Sequence, residues 1–357
     1  MSAWIGSKNL GDELIFKVLL EQLEVLGISR KDVVAITLDP NRTRKTFGTQ
    51  SVGHRDILGQ LIAIRQGDVL VFGGGGLLQD ETSIWNLPYH LSRVWIARLM
   101  GKEVVGLGLG AGLVSMRFSK WLIRMTFGTS VPMNVRDTES LQILKQISVQ
   151  NVKQAADLVF GHSVQEYESD GYIAVALRPF SKKRSWLPVH MREHVTLDDP
   201  SHIADALDVI ARQVNLPIRL VSFDLDKDLD YHHTIAAQMS TKVSFVSPTL
   251  KDVTKVIGAA NVVIGMRYHA AVLAFLCGVP SVLIGYSPKV QSLAKEAPRG
   301  CKVVENNIKG IKALPKLVNE VLDEKQSVII ARERLRDSSL ENYKPLCGLL
   351  RANNKLR

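Results

Sequence analysis

Residues 265–290, GMRYHAAVLAFLCGVPSVLIGYSPKV, form an apolar run that carries Arg267, His269 and Lys289. Buried segments exclude such groups unless they are paired. The three stand at the edges of the run. Two follow the apolar stretch NVVIG (261–265), and one follows PSVLIGY (280–286). A guanidinium fork and an ammonium suit the oxygens of a phosphate or a carboxylate. An imidazole between them can take or give a proton near neutral pH. The chemistry expected is acid–base work on an anionic substrate, with His269 as the acid or base and Arg267 and Lys289 as anion ligands.

Other candidate groups stand in similar places. NVRD (134–137) sets Arg136 after a short apolar segment, and VALRP (175–179) sets Arg178 before Pro179. Each could bind an anion or make an ordinary salt bridge. VFGGGGLLQD (71–80) places Gly73, Gly74, Gly75 and Gly76 just after a strand-like stretch. Four glycines allow close backbone approach to a ligand, or a tight turn. The run matches neither GxxxxGK[ST] nor GxGxxG. In IGSKNLGDELI (5–15), Asn9, Gly11, Asp12 and Glu13 fall at a loop and a first helical turn. Bare N–H groups there attract anions, while the two acids complement the helix dipole. Gly11 and Asp12 are carried as substrate contacts. His232 and His233 have no HExxH partner, so no metal is expected there. DLDKDLD (224–230) reads as a solvated loop and helix start.

The elements needed to hold these groups alternate along the chain. DVVAITL (32–38), DVLVFGGG (68–75), EVVGLGLGAG (103–112) and MNVRD (133–137) are strand-like, with helical patterns over 12–26, 85–100 and 138–147 between them. Polar VQEYESDG (164–171) interrupts the pattern. It then resumes with strands in YIAVALRP (172–179), IRLVSF (218–223), KVSFVS (242–247), ANVVIGM (260–266) and PSVLIGY (280–286). Helices are expected over 200–214, 231–240, 250–259 and 269–277. Near-continuous apolar strands separated by helices indicate parallel sheets covered on both faces. The fold class expected is α/β, with two Rossmann-like doubly wound domains facing a cleft. Their boundaries are set at 1–166 and 167–325, with 326–357 a helix and tail whose charges form a solvated face. In such sheets ligands lie beyond the carboxyl ends of the strands, where the candidate residues stand.

Composition narrows the function. The net charge is +10 and the pI about 9.5, but the cations are dispersed and aromatics are only 6% of 357 residues. That argues against nucleic acid and for anionic small molecules. Cys277, Cys301 and Cys347 are far apart and fit neither a disulfide framework nor a zinc site; Cys277 reads as a small core residue. No leader and no membrane span is evident, and the expected location is cytoplasmic. Loose association with the inner membrane face is allowed, although no amphipathic anchor stands out.

NLGDELI, GGGGLLQD, VRD, RYHAAVLAFLCGVP and SPKV, in this order, resemble the bacterial polysaccharide pyruvyl transferase family, especially its CsaB-like cell-wall branch. The resemblance runs from the first loop to about residue 300. It implies a GT-B-like fold and transfer of pyruvate from phosphoenolpyruvate to a sugar as a ketal. The sugar implied is N-acetylmannosamine or another hexose of a lipid-linked cell-wall or exopolysaccharide precursor. It further implies that Arg136, Arg178 and Lys289 bind the donor, that His269 is catalytic, and that Gly73 to Gly76 form the family's glycine run. No cofactor is implied beyond phosphoenolpyruvate as co-substrate. FSKKRSWLPVHMREHVTLDD (180–199) matches no family motif and is assigned to acceptor recognition. The rival reading is a glycosyltransferase or epimerase acting on a nucleotide sugar; a non-catalytic binder would have little need of the histidine.

Overall fold

The computed structural model describes residues 1–80, 85–128, 131–179, 199–285 and 288–352. Its strands are β1 (Ser2–Ile5), β2 (Val34–Thr37), β3 (Gln50–Gly53), β4 (Val69–Leu78), β5 (Glu103–Ala111), β6 (Met133–Val135), β7 (Val152–Gln154), β8 (Ile173–Ala176), β9 (Ile218–Val221), β10 (Val243–Val246), β11 (Val262–Gly265), β12 (Ser281–Gly285) and β13 (Cys301–Glu305). Its helices are α1 (Leu10–Val25), α2 (Pro40–Phe47), α3 (Ile57–Gln66), α4 (Asn86–Leu99), α5 (Arg117–Phe127), α6 (Thr138–Gln146), α7 (Ser201–Val214), α8 (Leu225–Ala236), α9 (Val253–Gly258), α10 (Tyr268–Leu276), α11 (Pro288–Ala294), α12 (Ile308–Val321), α13 (Lys325–Leu340) and α14 (Lys344–Ala352).

Two all-parallel sheets result. One runs β3-β2-β1-β4-β5-β6-β7 and the other β10-β9-β8-β11-β12-β13. Both orders reverse direction once, between β1 and β4 and between β8 and β11, and the reversal opens a crevice at the carboxyl ends of the strands. Strand periodicity is absent because both faces are covered. Val104, Val105, Leu107 and Leu109 of β5 are all buried, as are the four residues of β8. Cys277 is packed in the core after α10, where burial pushes its thiol up to about 12.

The chain divides into two compact units, Met1–Ser163 with Glu333–Arg357, and Val164–Arg332. The second boundary falls inside α13. The segment set apart in the sequence as a helix and tail is thus shared, and its last part belongs to the first unit. Polar groups account for this. Buried Asn342 accepts from Gly108 N (3.0 Å) and donates to Ala156 O (2.8 Å), while Asn134 donates to Glu341 O (2.8 Å). Backbone groups at the carboxyl ends of the first sheet are satisfied by a segment more than 180 residues away.

Two of the expected elements differ in extent. β4 does not end before the glycines: it continues to Leu78, with a register shift between the pairs Gly75–Leu109 and Leu78–Ala111. Gly74 and Gly75 take positive φ, 78° and 88°, which makes a bulge instead of a turn. α8 begins at Leu225, six residues before its expected start, and absorbs most of DLDKDLD. Its helical period places Asp228 and His232, one turn apart, on the buried face.

The first unit's core holds His90, 1% exposed, between the rings of Trp4, Tyr89 and Phe72 at 5.8, 4.9 and 6.5 Å. Burial, helped by Arg93, lowers its pKa from 6.5 to about 3. The unfolded chain therefore takes up a proton below about pH 6.5 that the folded ring refuses. The stability that neutral His90 supplies is present above that value and is lost as pH falls toward about 3. Denaturant titrations of His90→Leu across this window should show a flatter pH dependence than wild type; identical slopes would refute the buried neutral ring as the acid-sensitive group.

Candidate active site

The first unit gathers one group of candidate residues at adjacent strand ends. Gly75, Leu109 and Val135 lie in register across β4, β5 and β6. Arg136 follows directly, its N–H donating to Leu109 O at 3.0 Å. Its side chain is buried. Nη1 donates to Asp157 at 3.2 Å and Nε lies 3.6 Å from Asp137, which also caps α6 by accepting from Ser140 N. The guanidinium needs space beneath it, and Gly110 supplies that space: a Cβ there would stand 2.9 Å from Nε and Nη2. Gly110 was not among the sequence candidates, although GLGLGAG was legible as a strand.

The four glycines have separate duties. Gly73 lies against the β5 backbone, where a Cβ would meet Leu107 O at 2.2 Å. The left-handed pair Gly74 and Gly75 bulges beside α1, with Asp12 next to Gly75, and Gly76 is exposed near Arg136. Gly11 is buried in the first turn of α1, and its N–H donates to the Asn9 cap at 3.0 Å. Glu13 is not a surface dipole partner. It is 1% exposed and accepts from Gly6 N and Ser7 N at 2.7 and 3.1 Å, and burial pushes its carboxyl above the usual range. It ties the loop after β1 to α1, and Ser7 in turn reaches Asp12 at 3.5 Å.

The second unit carries the other group. Ala176 and Gly265 are paired across β8 and β11, so Arg178 and Arg267 stand two residues beyond the same register point. His269 lies in the first turn of α10, and Lys289 in the first turn of α11 beyond β12. The Tyr268 ring joins the last two: it meets the His269 ring edge-on at 5.3 Å and lies under Lys289 Nζ at 5.7 Å. β8, β11 and β12 are neighbours, so one end of one sheet presents Arg178, Arg267, His269 and Lys289.

Arg267 is not an open fork. Its Nε donates to Asp228 Oδ2 at 3.0 Å and its Nη2 to Asp228 Oδ1, with Asp224 3.8 Å from Nη2. Asp228 is fully buried and also accepts from Phe223 N and Asp224 N, each at 3.0 Å. The supposedly solvated acidic stretch is therefore the buried counterion of the arginine, and Arg267 turns one edge to Asp228. One turn on, buried His232 reaches Leu177 O with Nε2 at 3.1 Å and Ser222 Oγ with Nδ1 at 3.2 Å. A carbonyl only accepts, so Nε2 carries a proton; burial, partly offset by Asp228, holds the ring's pKa below the usual value. The inner face of α8 thus grips the residue before Arg178 and the residue two before His269. Sequence reading missed this pair because a solvated loop was expected; the 3.6-residue spacing of Asp228 and His232 was the available signal.

A model of the polysaccharide pyruvyl transferase family matches residues 9–288. The chain belongs to that family. It is accordingly a transferase. No curated protein sequence matches the chain. Solved structures resemble it in fold at low identity. S. aureus MnaA, solved with UDP, has a TM-score of 0.62 at 10% identity, covering 99% of this chain and 96% of that one. A putative UDP-N-acetylglucosamine 2-epimerase from Listeria monocytogenes has 0.61 at 11%, covering 99% and 96%. Anabaena Alr3699/HepE in complex with UDP-glucose has 0.56 at 13%, covering 100% and 98%. The fold of this family member is GT-B-like, α/β with two doubly wound parallel sheets. Among the described residues no group of three His, Cys, Asp or Glu side chains is arranged to hold a metal ion, and no helix is long and apolar enough to cross a membrane. Phe180 and most of the tract assigned to acceptor recognition, 180–198, lie outside the described residues.

Removing one member of a buried ion pair strands its partner and costs about 3–5 kcal/mol. Asp228→Ala should lower unfolding free energy by roughly that amount, and Asp228→Asn, which keeps an acceptor for the two N–H groups, by less. Urea denaturation reads both; equal stability of all three proteins would show that the pair does not hold the second unit.

Proposed function

We propose that this family member moves the pyruvyl group of phosphoenolpyruvate onto two hydroxyls of one sugar, forming a cyclic ketal and releasing inorganic phosphate. The observation that carries the reading is the set of strand ends bearing Arg178, His269 and Lys289 beside one another at the reversal point of the second sheet. Phosphoenolpyruvate bears a carboxylate and a phosphate, and charge-assisted contacts from arginine and lysine match both. Arg136 and the glycine run Gly73–Gly76, with Gly11 and Asp12, add a second binding group in the first unit. Arg267 orients the start of α10 through Asp228.

The chemistry balances without a redox partner. The methylene carbon takes a proton, which leaves an oxocarbenium-like carbon. One sugar hydroxyl adds to that carbon, the C–O bond to phosphate breaks, and the second hydroxyl closes the ring. Of the two hydroxyl protons, one is accounted for in the new methyl group and the other on phosphate. His269 is the acid–base group that moves one of them. The acceptor is a hexose, with N-acetylmannosamine the first choice, on a lipid-linked precursor of a wall or exported polysaccharide, which puts the enzyme at the cytoplasmic face of the membrane.

Positioned acid–base groups contribute about 10²–10⁴ in rate. His269→Gln should therefore lose most acceptor-dependent phosphate release from phosphoenolpyruvate while still gaining thermal stability from the donor. Intact turnover in the variant would remove His269 from the mechanism. Protection by UDP and not by phosphoenolpyruvate would replace the whole reading with nucleotide-sugar chemistry, as the ligands of the structural neighbours suggest.

A further inference from the structure

α5 has two faces that do not fit an ordinary surface helix. Ser119, Leu122, Ile123, Thr126 and Phe127 are buried against the first unit. The outward face should then be polar. Instead Phe118, Trp121 and Met125 are 57%, 54% and 60% exposed, at helical spacing, and the first two rings stack at 5.9 Å. Leu113 and Met116, in the loop leading in, are exposed as well. Beside this stripe runs a second one, Arg117, Lys120 and Arg124, all exposed. From Val104 to Arg136 the sequence has no Asp or Glu.

The helix is held rigidly in this attitude. Buried Asp80, at the far end of the glycine-bearing strand, accepts from Ser115 N, Ser115 Oγ and Met116 N at 3.1, 3.0 and 2.9 Å. Thr126 donates to Leu122 O and accepts from Trp95 Nε1, each at 2.7 Å. The exposed rings are therefore displayed by a fixed scaffold. The loop leaves the carboxyl end of β5, the sheet end that also bears the glycine run and Arg136.

We infer that α5 and the loop before it dock on the surface of an anionic lipid bilayer. An amphipathic helix with aromatic and aliphatic residues on one side and Lys or Arg beside them lies in the bilayer interface, its rings among the acyl chains and its cations at the headgroups. Charge separates this partner from a second copy of the chain. A two-fold contact on α5 sets Arg117, Lys120 and Arg124 against their own copies, with no acid in α5 itself to offset them. The inference deepens the function proposed above, on which it rests only for its purpose: an enzyme docked by the strand ends of its first unit meets a lipid-linked sugar at the membrane.

Flotation with lipid vesicles tests it on the full chain without any need for turnover. Wild type should float with vesicles that mix phosphatidylcholine and phosphatidylglycerol, release at high salt, and ignore vesicles of phosphatidylcholine alone. Each cation near an anionic leaflet is worth roughly fivefold in affinity, so Arg117→Gln/Lys120→Gln/Arg124→Gln should bind about a hundredfold more weakly. Phe118→Ser/Trp121→Ser should also lose binding, with circular dichroism and melting temperature showing that the fold survives. Failure of wild type to float, unchanged binding by both variants, or a wild-type dimer that the aromatic variant turns into a monomer would each overturn the docking face. Phosphate release with a water-soluble acceptor separates the two claims: turnover without flotation leaves the reaction standing and the docking refuted, and flotation without turnover does the reverse.

Discussion

A buried carboxylate organises the second unit. Asp228 lies out of water with four hydrogen bonds converging on it, two from the backbone after β9 and two from Arg267. A charge so placed is tolerable only with its partners in position. The ends of β9 and β11 and the first turn of α8 are therefore fixed relative to one another, and α10 starts where Arg267 places it. His232, one turn along α8, brings in the end of β8 through its Nε2 hydrogen bond to Leu177 O. The candidate catalytic histidine and the candidate donor arginine Arg178 each sit within two residues of a group that this helix holds.

Sterics organise the first unit. Gly73 lets β4 pass close to β5, and Gly110 makes room for a guanidinium that Asp157 and Asp137 hold in place. Larger residues at these two points would push on backbone or on a buried ion pair, so the glycines are explained by their neighbours before any ligand is invoked. The exposed Gly76 and the bulged Gly74 and Gly75 are the part of the run open to a binding role. The same unit also takes back the chain's far end, because buried Asn342 accepts from Gly108 N in β5 and donates to Ala156 O after β7.

Much of the fold was legible because it repeats. Apolar strands such as those around 104–109 and 262–265 alternate with helical patterns, and this required two parallel sheets with polar residues collected at strand ends. The strands that were overlooked, β3, β7 and β13, are edge or near-edge strands with short or polar sequences. α5 was overlooked as well; its outward face mixes Phe118, Trp121 and Met125 with Arg117, Lys120 and Arg124.

The sequence by itself determined the fold class, the family, and the positions of Arg136, Arg178, His269 and Lys289 at strand ends, since period, strand-end chemistry and motif order are local properties. Only the tertiary structure decided which charges are bound to other charges. Arg267 and Asp228 are 39 residues apart, Asn342 and Gly108 are 234 apart, and pairings across such distances leave no trace in a single chain's spacing. It also decided which apolar side chains face water. Phe118 and Phe127 belong to the same helix and the same residue type, yet one is 57% exposed and the other fully buried, because exposure depends on what the rest of the chain brings against each face.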